Sequence, residues 1–184
     1  MERHSSLRGF TLADLLILLT VAAILLGLAV PSFSDLVERQ RSWTALNDLR
    51  TSLHQAREHA ARNAIRVTVC RSQDQSSCMS GDRWSEGWMV FEDPSNLHNC
   101  KVSSSGVCEH GGRVLSVSPG VGHGIYITAN NNIQNTVRFY PEGYASGSNG
   151  TFTACSSDGD ILRGMVLAMS GRVRVAAAGD ATSC

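Results

Sequence analysis

The sequence predicts an α+β fold: a long N-terminal helix, apolar in its first half and amphipathic in its second, packed on an antiparallel β-sheet or β-sandwich head. Three features point there. Residues 10–30 carry a single charge, Asp14. From Leu46 to Ala64, Leu and Ala recur at three- and four-residue steps, the spacing of one helical face. From Ile65 onward that period stops, and short β-branched or aromatic runs alternate with Ser, Gly, Asn and Asp clusters, the pattern of strands and turns.

The 184 residues leave room for one domain, or a small domain with an appendage. Sixteen basic residues balance sixteen acidic ones, which excludes a uniformly basic nucleic-acid binder but leaves room for a local basic patch. Charged residues make up 17% of the chain, against about 25% in soluble domains, so part of the chain is expected outside water. Seventeen Gly and four Pro are too few for collagen or a low-complexity chain.

Residues 1–9 are polar and include two arginines. The following 21 residues, 10–30, would make a helix of about 31 Å, matching the roughly 30 Å hydrocarbon core of a bilayer. A buried core helix fits poorly, because a domain of 184 residues rarely encloses one this long that is apolar on every face. A cleaved secretory signal needs an apolar run of about 7–15 residues ending in a small-x-small site; this run is longer, and Gly27-x-Ala29 is a weak site. A membrane-spanning anchor remains. Asp14 within it costs about 2.5–3.5 kcal/mol at the bilayer centre and less near its edge, which marks a functional position unless the carboxylate reaches the headgroups.

Pro31 predicts a kink or break, with Ser32 or Asp35 available to cap a restart. Beyond it the stripe is Leu46, Leu49, Leu53, Ala56, Ala60 and Ala64, with Arg50, Arg57, Glu58 and Arg62 off it. Glu58 and Arg62 form an i,i+4 pair. The change from Leu to Ala predicts that a sheet approaches closely near the helix C-terminus. His54 and His59 do not share a face and read as surface residues rather than metal ligands. The divisions are 1–9, 10–30, 31–64 and 65–184. Strands are expected at Ile65–Cys70, Trp88–Glu92, Arg113–Ser118, Gly124–Thr128, Thr136–Tyr140, Thr151–Cys155, Ile161–Ala168 and Arg172–Ala176, packed on the helix.

The segment Arg8-Gly9-Phe10-Thr11-Leu12-Ala13-Asp14 resembles the processing site of type IV prepilins and type II secretion pseudopilins. In those families a basic leader ends in Gly, Phe follows, and an acid stands fifth after the cut. The resemblance implies that residues 1–9 are a leader cut by a prepilin peptidase between Gly9 and Phe10, that Phe10 is N-methylated, and that Asp14 and Pro31 serve assembly. The family carries Glu where this chain has Asp14, one methylene longer in reach. A carboxylate among apolar helices is expensive unless paired; pairing with the amine of a neighbouring subunit would fix axial register.

The second half resembles the secretion-H/fimbrial-T branch, closest to fimbrial-T/U-type minor pilins. The matching pieces are Val69-Cys70-Arg71-Ser72, Cys78, Trp84, Gly87-Trp88-Met89-Val90-Phe91-Glu92-Asp93, Phe139-Tyr140-Pro141-Glu142-Gly143, Thr151-Phe152-Thr153-Ala154-Cys155 and Ser170-Gly171-Arg172-Val173-Arg174. It implies a single-pass inner-membrane protein with a periplasmic head that joins a pilus filament or its tip. Its partners would be major and minor pilins, the prepilin peptidase and the inner membrane. Alternatives are a type II secretion pseudopilin of the H type and a membrane-anchored protein that never polymerises.

The leader arginines lean toward an external head by the positive-inside tendency, which Arg39 and Arg41 weaken. An oxidising periplasm favours disulfides. Six cysteines allow about 15 pairings; the sequence-local pairs Cys70–Cys78 and Cys100–Cys108 are favoured, with Cys155–Cys184 tying down the tail. On a chain-entropy model the short loops contribute about 2.6 kcal/mol each and the long one about 3.6.

No GxSxG, HExxH or phosphate loop is present, and Gly120-Val121-Gly122-His123-Gly124 lacks the lysine of the last. His98, His110 and His123 stand in polar loops. The chain reads as no enzyme, with no cofactor and no metal. Between Ile161 and Gly179 stand Arg163, Arg172 and Arg174 without an acid. On a strand Arg172 and Arg174 share a face, and with Gly171 opening the approach they form a fork suited to phosphate. Exposed edge-strand charges that deter aggregation are the plainer reading. The Gly-Arg-x-Arg pattern resembles the tail motif of fimbrial-T-type minor pilins that bind DNA in natural transformation, which implies sequence-independent binding of double-stranded DNA. Arg113, Arg138 and Lys101 are further candidates for that patch.

Overall fold

The computed structural model describes residues 11–103, 106–122, 124–180 and 183–184, and the chain divides into two units, residues 1–37 and 38–184. Helix α1 spans Leu12–Asn63. Its backbone stays helical through Pro31, so the expected break does not occur and neither Ser32 nor Asp35 starts a new helix. The Pro31 side chain, like all of residues 1–10 with Gly9 and Phe10, lies outside the described residues. Among the described residues no helix is long and apolar enough to cross a membrane. The expected span, 10–30, begins and ends at positions whose side chains lie outside that description.

Among the described residues the head contains eight strands, each within two residues of its sequence-predicted bounds at either end: β1 (Val67–Arg71), β2 (Gly87–Glu92), β3 (Val114–Pro119), β4 (Ile125–Ala129), β5 (Thr136–Phe139), β6 (Gly150–Ser156), β7 (Ile161–Leu167) and β8 (Val173–Val175). They form two four-stranded sheets, ordered β3-β2-β1-β5 and β4-β6-β7-β8, with every pairing antiparallel.

One core joins α1 to both sheets. Ala45, Leu46, Leu49, Leu53, Ala56 and Ala60 are buried together with Val67, Val69, Trp88 and Val90, with Ile127, Val137 and Phe139, and with Phe152, Ala154, Met165 and Leu167. Each fully buried Leu contributes about 1.5–3 kcal/mol. The alanines at 56 and 60 let backbone approach backbone where a longer side chain would hold it off. Trp88 Nε1–H donates to the Ser52 hydroxyl at 2.9 Å, and Trp84 Nε1–H donates to the carbonyls of Ile133 and Gln134 while its ring meets Phe152 edge-on at 5.2 Å. Both indoles are buried with their N–H groups satisfied.

Side chains alternate across β1 and β2, so a second face is buried as well. Cys70, Met89 and Phe91 pack there with Cys100 and Cys108. The disulfides are Cys70–Cys78, Cys100–Cys108 and Cys155–Cys184, and two of them lie in this second cluster. Asp93 organises the loop beside it: its carboxylate accepts the Thr68 hydroxyl and the N–H groups of Leu97 and His98.

Two further expectations change. Ala64 is not the last residue of the buried stripe; it is exposed and left-handed, with φ +52°. The Ile65 N–H reaches back to the Ala60 carbonyl at 3.3 Å, so Ala64 occupies the position that glycine favours in this helix-ending turn. His59 is not simply a surface residue: its Nε2 lies 2.9 Å from Glu92 Oε1, and both side chains are mostly covered. Burial pushes the Glu92 carboxyl up, but the His59 hydrogen bond, the Arg113 N–H and the nearby positive charge hold it below the ordinary range. Glu58 and Arg62 do pair, at 2.9 Å.

Ala64→Gly is expected to stabilise the head by about 1 kcal/mol, the left-handed penalty of alanine less the entropy glycine adds to the unfolded chain. The urea midpoint followed by tryptophan fluorescence checks it.

Candidate assembly helix and arginine surface

Two regions carry the residues singled out by the sequence. The first is the start of α1. Thr11 and Asp14 form a reciprocal cap: the Thr11 N–H and hydroxyl both donate to Asp14 Oδ2, at 3.0 and 2.7 Å, and the Asp14 N–H donates to Thr11 Oγ1 at 3.3 Å. A Thr-x-x-acid pair at a helix start satisfies backbone donors that otherwise have no partner. The sequence contains this signal in Thr11-Leu12-Ala13-Asp14, beside the headgroups and the neighbouring subunit's amine that were expected as partners for Asp14. Beyond the cap, Leu12, Leu15–Leu19, Val21 and Ile24–Leu26 are each more than half exposed. Contiguous apolar surface of this kind marks contact with lipid or protein.

The second region is the C-terminal arginine segment. Val173 is buried between exposed Arg172 and Arg174, so the alternation of β8 points both arginines away from the core. The fork itself does not form. Arg174 grips Asp180, Nη1 to Oδ2 at 2.7 Å and Nη2 to Oδ1 at 2.8 Å. The Arg174 hydrogen bond, with the Ala177 N–H, draws the Asp180 carboxyl down to about 2. Arg163 lies over the Trp43 ring, 4.4 Å from its centre. Arg172 alone of the three has no partner among the described residues.

Gly171 does not open an approach either. It is buried, with φ +76°, and a Cβ there would stand 2.6 Å from the Gly143 carbonyl and 2.9 Å from Arg57 Nε. Its function is to let the β7–β8 turn close on the 140–144 turn. Arg113 is engaged by Glu92 and Lys101 by Glu109; Arg138 donates to Ser148 Oγ and the Gly147 carbonyl, which leaves its charge unneutralised. Among the described residues no three His, Cys, Asp or Glu side chains gather as a metal site would require.

The sequence model of the type II transport protein GspH matches residues 45–179, well over half of the chain. The chain belongs to the GspH family. The match begins where α1 enters the core and ends before Asp180, so it covers the head and leaves residues 1–44 untouched. Among solved structures, two crystal forms of the Pseudomonas aeruginosa type IV minor pilin FimU share the fold. One is 17% identical, covering 81% of this chain and 98% of that one with a TM-score of 0.57; the other is 18% identical, covering 77% and 98% with a TM-score of 0.52. No curated protein sequence is similar enough to match.

Gly171→Ala is expected to destabilise the head by about 2 kcal/mol or more, because a left-handed alanine is strained and its methyl meets backbone that cannot swing away. A urea titration of the purified chain measures it; an unchanged midpoint would remove Gly171 from the closure of this turn.

Proposed function

We propose that the chain is a minor subunit of a type IV pilus, made with a leader of residues 1–9, cut between Gly9 and Phe10 by a prepilin peptidase and N-methylated at Phe10. Residues 10–30 hold it in the inner membrane with the head outside the cytoplasm. Assembly then draws the same helix into the filament, where other major and minor pilins cover it. The role is structural, to initiate or cap the filament, and requires no catalysis or cofactor. The carrying observation is the row of exposed apolar side chains from Leu12 to Leu26, joined to a GspH-family head. Asp14, the one charge in that row, would exchange its cap on Thr11 for the amine of a neighbouring chain.

A second reading, a type II secretion pseudopilin, is favoured by the family description itself, while the FimU fold supports the first. Loss of pilus-driven motility on deletion supports the first, and loss of protein export supports the second. DNA contact belongs to the proposal in reduced form. Of the expected patch, exposed Arg172 is the group free to meet a phosphate, so its contribution would be weak and independent of sequence.

Intact-mass analysis of the protein recovered from cells is expected to give a chain that starts at Phe10 and carries one extra methyl group. Recovery of a chain that keeps residues 1–9 would overturn the proposal.

A further inference from the structure

The arginines of the head sort by what they touch. Arg62, Arg71, Arg113 and Arg174 are paired with carboxylates. Of those without a carboxylate partner among the described residues, which also include Arg50, Arg83 and Arg163, the fold brings Arg57, Arg66, Arg138 and Arg172 toward one end of the head. Arg57 Nε donates to the Gly143 carbonyl at 2.7 Å, and buried Gly171, beside Arg172, closes against both groups. The Ala145 N–H donates to the Met169 carbonyl at 2.8 Å, which ties the 140–145 turn to the 168–172 turn. Arg66, just before β1, and Arg138 of β5 flank this turn, Thr68 of β1 standing opposite Arg138. His98 feels both: burial, then the Arg138 charge, with Arg66 adding to it, holds its pKa below the ordinary value despite Asp93.

Aromatic rings stand in the middle of these charges. Tyr140 and Tyr144 stack at 4.9 Å with planes 11° apart, and the Arg66 guanidinium lies over the Tyr140 ring at 5.5 Å. Tyr144 is 39% exposed. One of its faces is against Tyr140, which leaves its other face and rim as the ring surface available to a ligand. The exposed acid of the turn is Glu142; Asp93 is buried and committed to Thr68 and to the loop amides, and Glu58 is paired with Arg62. A ring pair capped on one side by Arg66 thus ends in a partly exposed Tyr144, on a turn that Arg57 and the Gly171–Arg172 turn close against.

We infer that this end of the head is a stacking platform for single-stranded nucleic acid, with an unpaired base on the free face of Tyr144 and its flanking phosphates against Arg66 and Arg172. The inference rests on the nucleic-acid reading above and adds which form is bound and where. A ring face beside cations is how sequence-tolerant single-strand binders work, because every base has a π-face. In a duplex both faces of each base are already stacked, and Tyr144 has nothing to take. A protein partner would have to bring carboxylates to match four spread guanidinium groups, whereas a nucleotide chain supplies one charge per unit at a regular spacing.

The test uses the full chain in detergent micelles and fluorescence anisotropy with an oligo-dT strand and a duplex of similar length, at about 0.1 M salt. Tyr144→Ala is expected to weaken oligo-dT binding about five- to a hundred-fold and to leave duplex binding within about two-fold, while Tyr144→Phe binds as the parent does. Arg66→Gln and Arg172→Gln are each expected to flatten the salt dependence for oligo-dT by about 0.7 in log–log slope. Unfolding midpoints of all variants confirm that the head is intact, and Tyr144→Phe serves if the alanine variant is unstable, since loss of binding in it would overturn the platform. Duplex binding with oligo-dT binding indifferent to Tyr144 overturns this inference and leaves the nucleic-acid reading standing. Absence of binding to either probe overturns both. Normal oligo-dT binding by Tyr144→Ala combined with failed filament assembly in cells assigns the ring to a protein partner and overturns it as well.

Discussion

The head depends on a single stripe of α1 that is buried against two sheets at once. Leu46, Leu49 and Leu53 fill the wide part of the interface, and Ala56 and Ala60 allow close approach at its end. Val67 and Phe139 from one sheet and Phe152 and Leu167 from the other meet that stripe in the same cluster. Neither sheet could bury its inner face without it, because a four-stranded sheet with one apolar face needs a covering layer. Later features follow from this packing: where α1 must stop, which forces Ala64 into a left-handed turn, and where the turns at 140–145 and 168–172 come together beside Arg57.

The same helix has a different chemistry before the core begins. In residues 12–26 the apolar side chains are not confined to a stripe, and they are exposed with Asp14 as the single charge. Exposed hydrophobic surface of that extent carries a free-energy cost that lipid or sister helices remove. Asp14 is affordable meanwhile because its own helix start supplies donors from Thr11. A carboxylate held by a neighbouring hydroxyl and amide can change partners without ever being bare. That is the physical basis for reading this stretch as an assembly element.

Much of the fold was legible because it rests on local period. The Leu and Ala spacing marked the stripe, and β-branched runs between turn residues placed all eight strands. Two of the disulfides join the pairs that sequence proximity favoured, and the third joins the remaining two cysteines, Cys155 and Cys184. What was not legible depends on contacts between distant residues or on residues just outside a chosen window. The acid-free stretch drawn from Ile161 ended at Gly179, one residue before Asp180, which neutralises Arg174. Trp43 under Arg163, and Gly143 against Gly171, are separated from their partners by too much chain for spacing to predict. The ring stack of Tyr140 and Tyr144 was within reach, since residues at either end of a tight turn face each other; the quoted Phe139-Tyr140-Pro141-Glu142-Gly143 piece stopped one residue short of it. His59 was placed on the surface because it shares no face with His54, while Glu92 on β2 comes over to meet it.

The account's central claim is that the apolar first half of α1 is covered by other filament subunits in the working state. A photoreactive residue at position 19, within the exposed apolar run, tests it directly when activated in sheared filaments and in membranes from the same cells. The account predicts protein adducts to other pilin-class subunits in the filaments. Adducts to lipid alone in every fraction, with no protein joined at position 19, would contradict it.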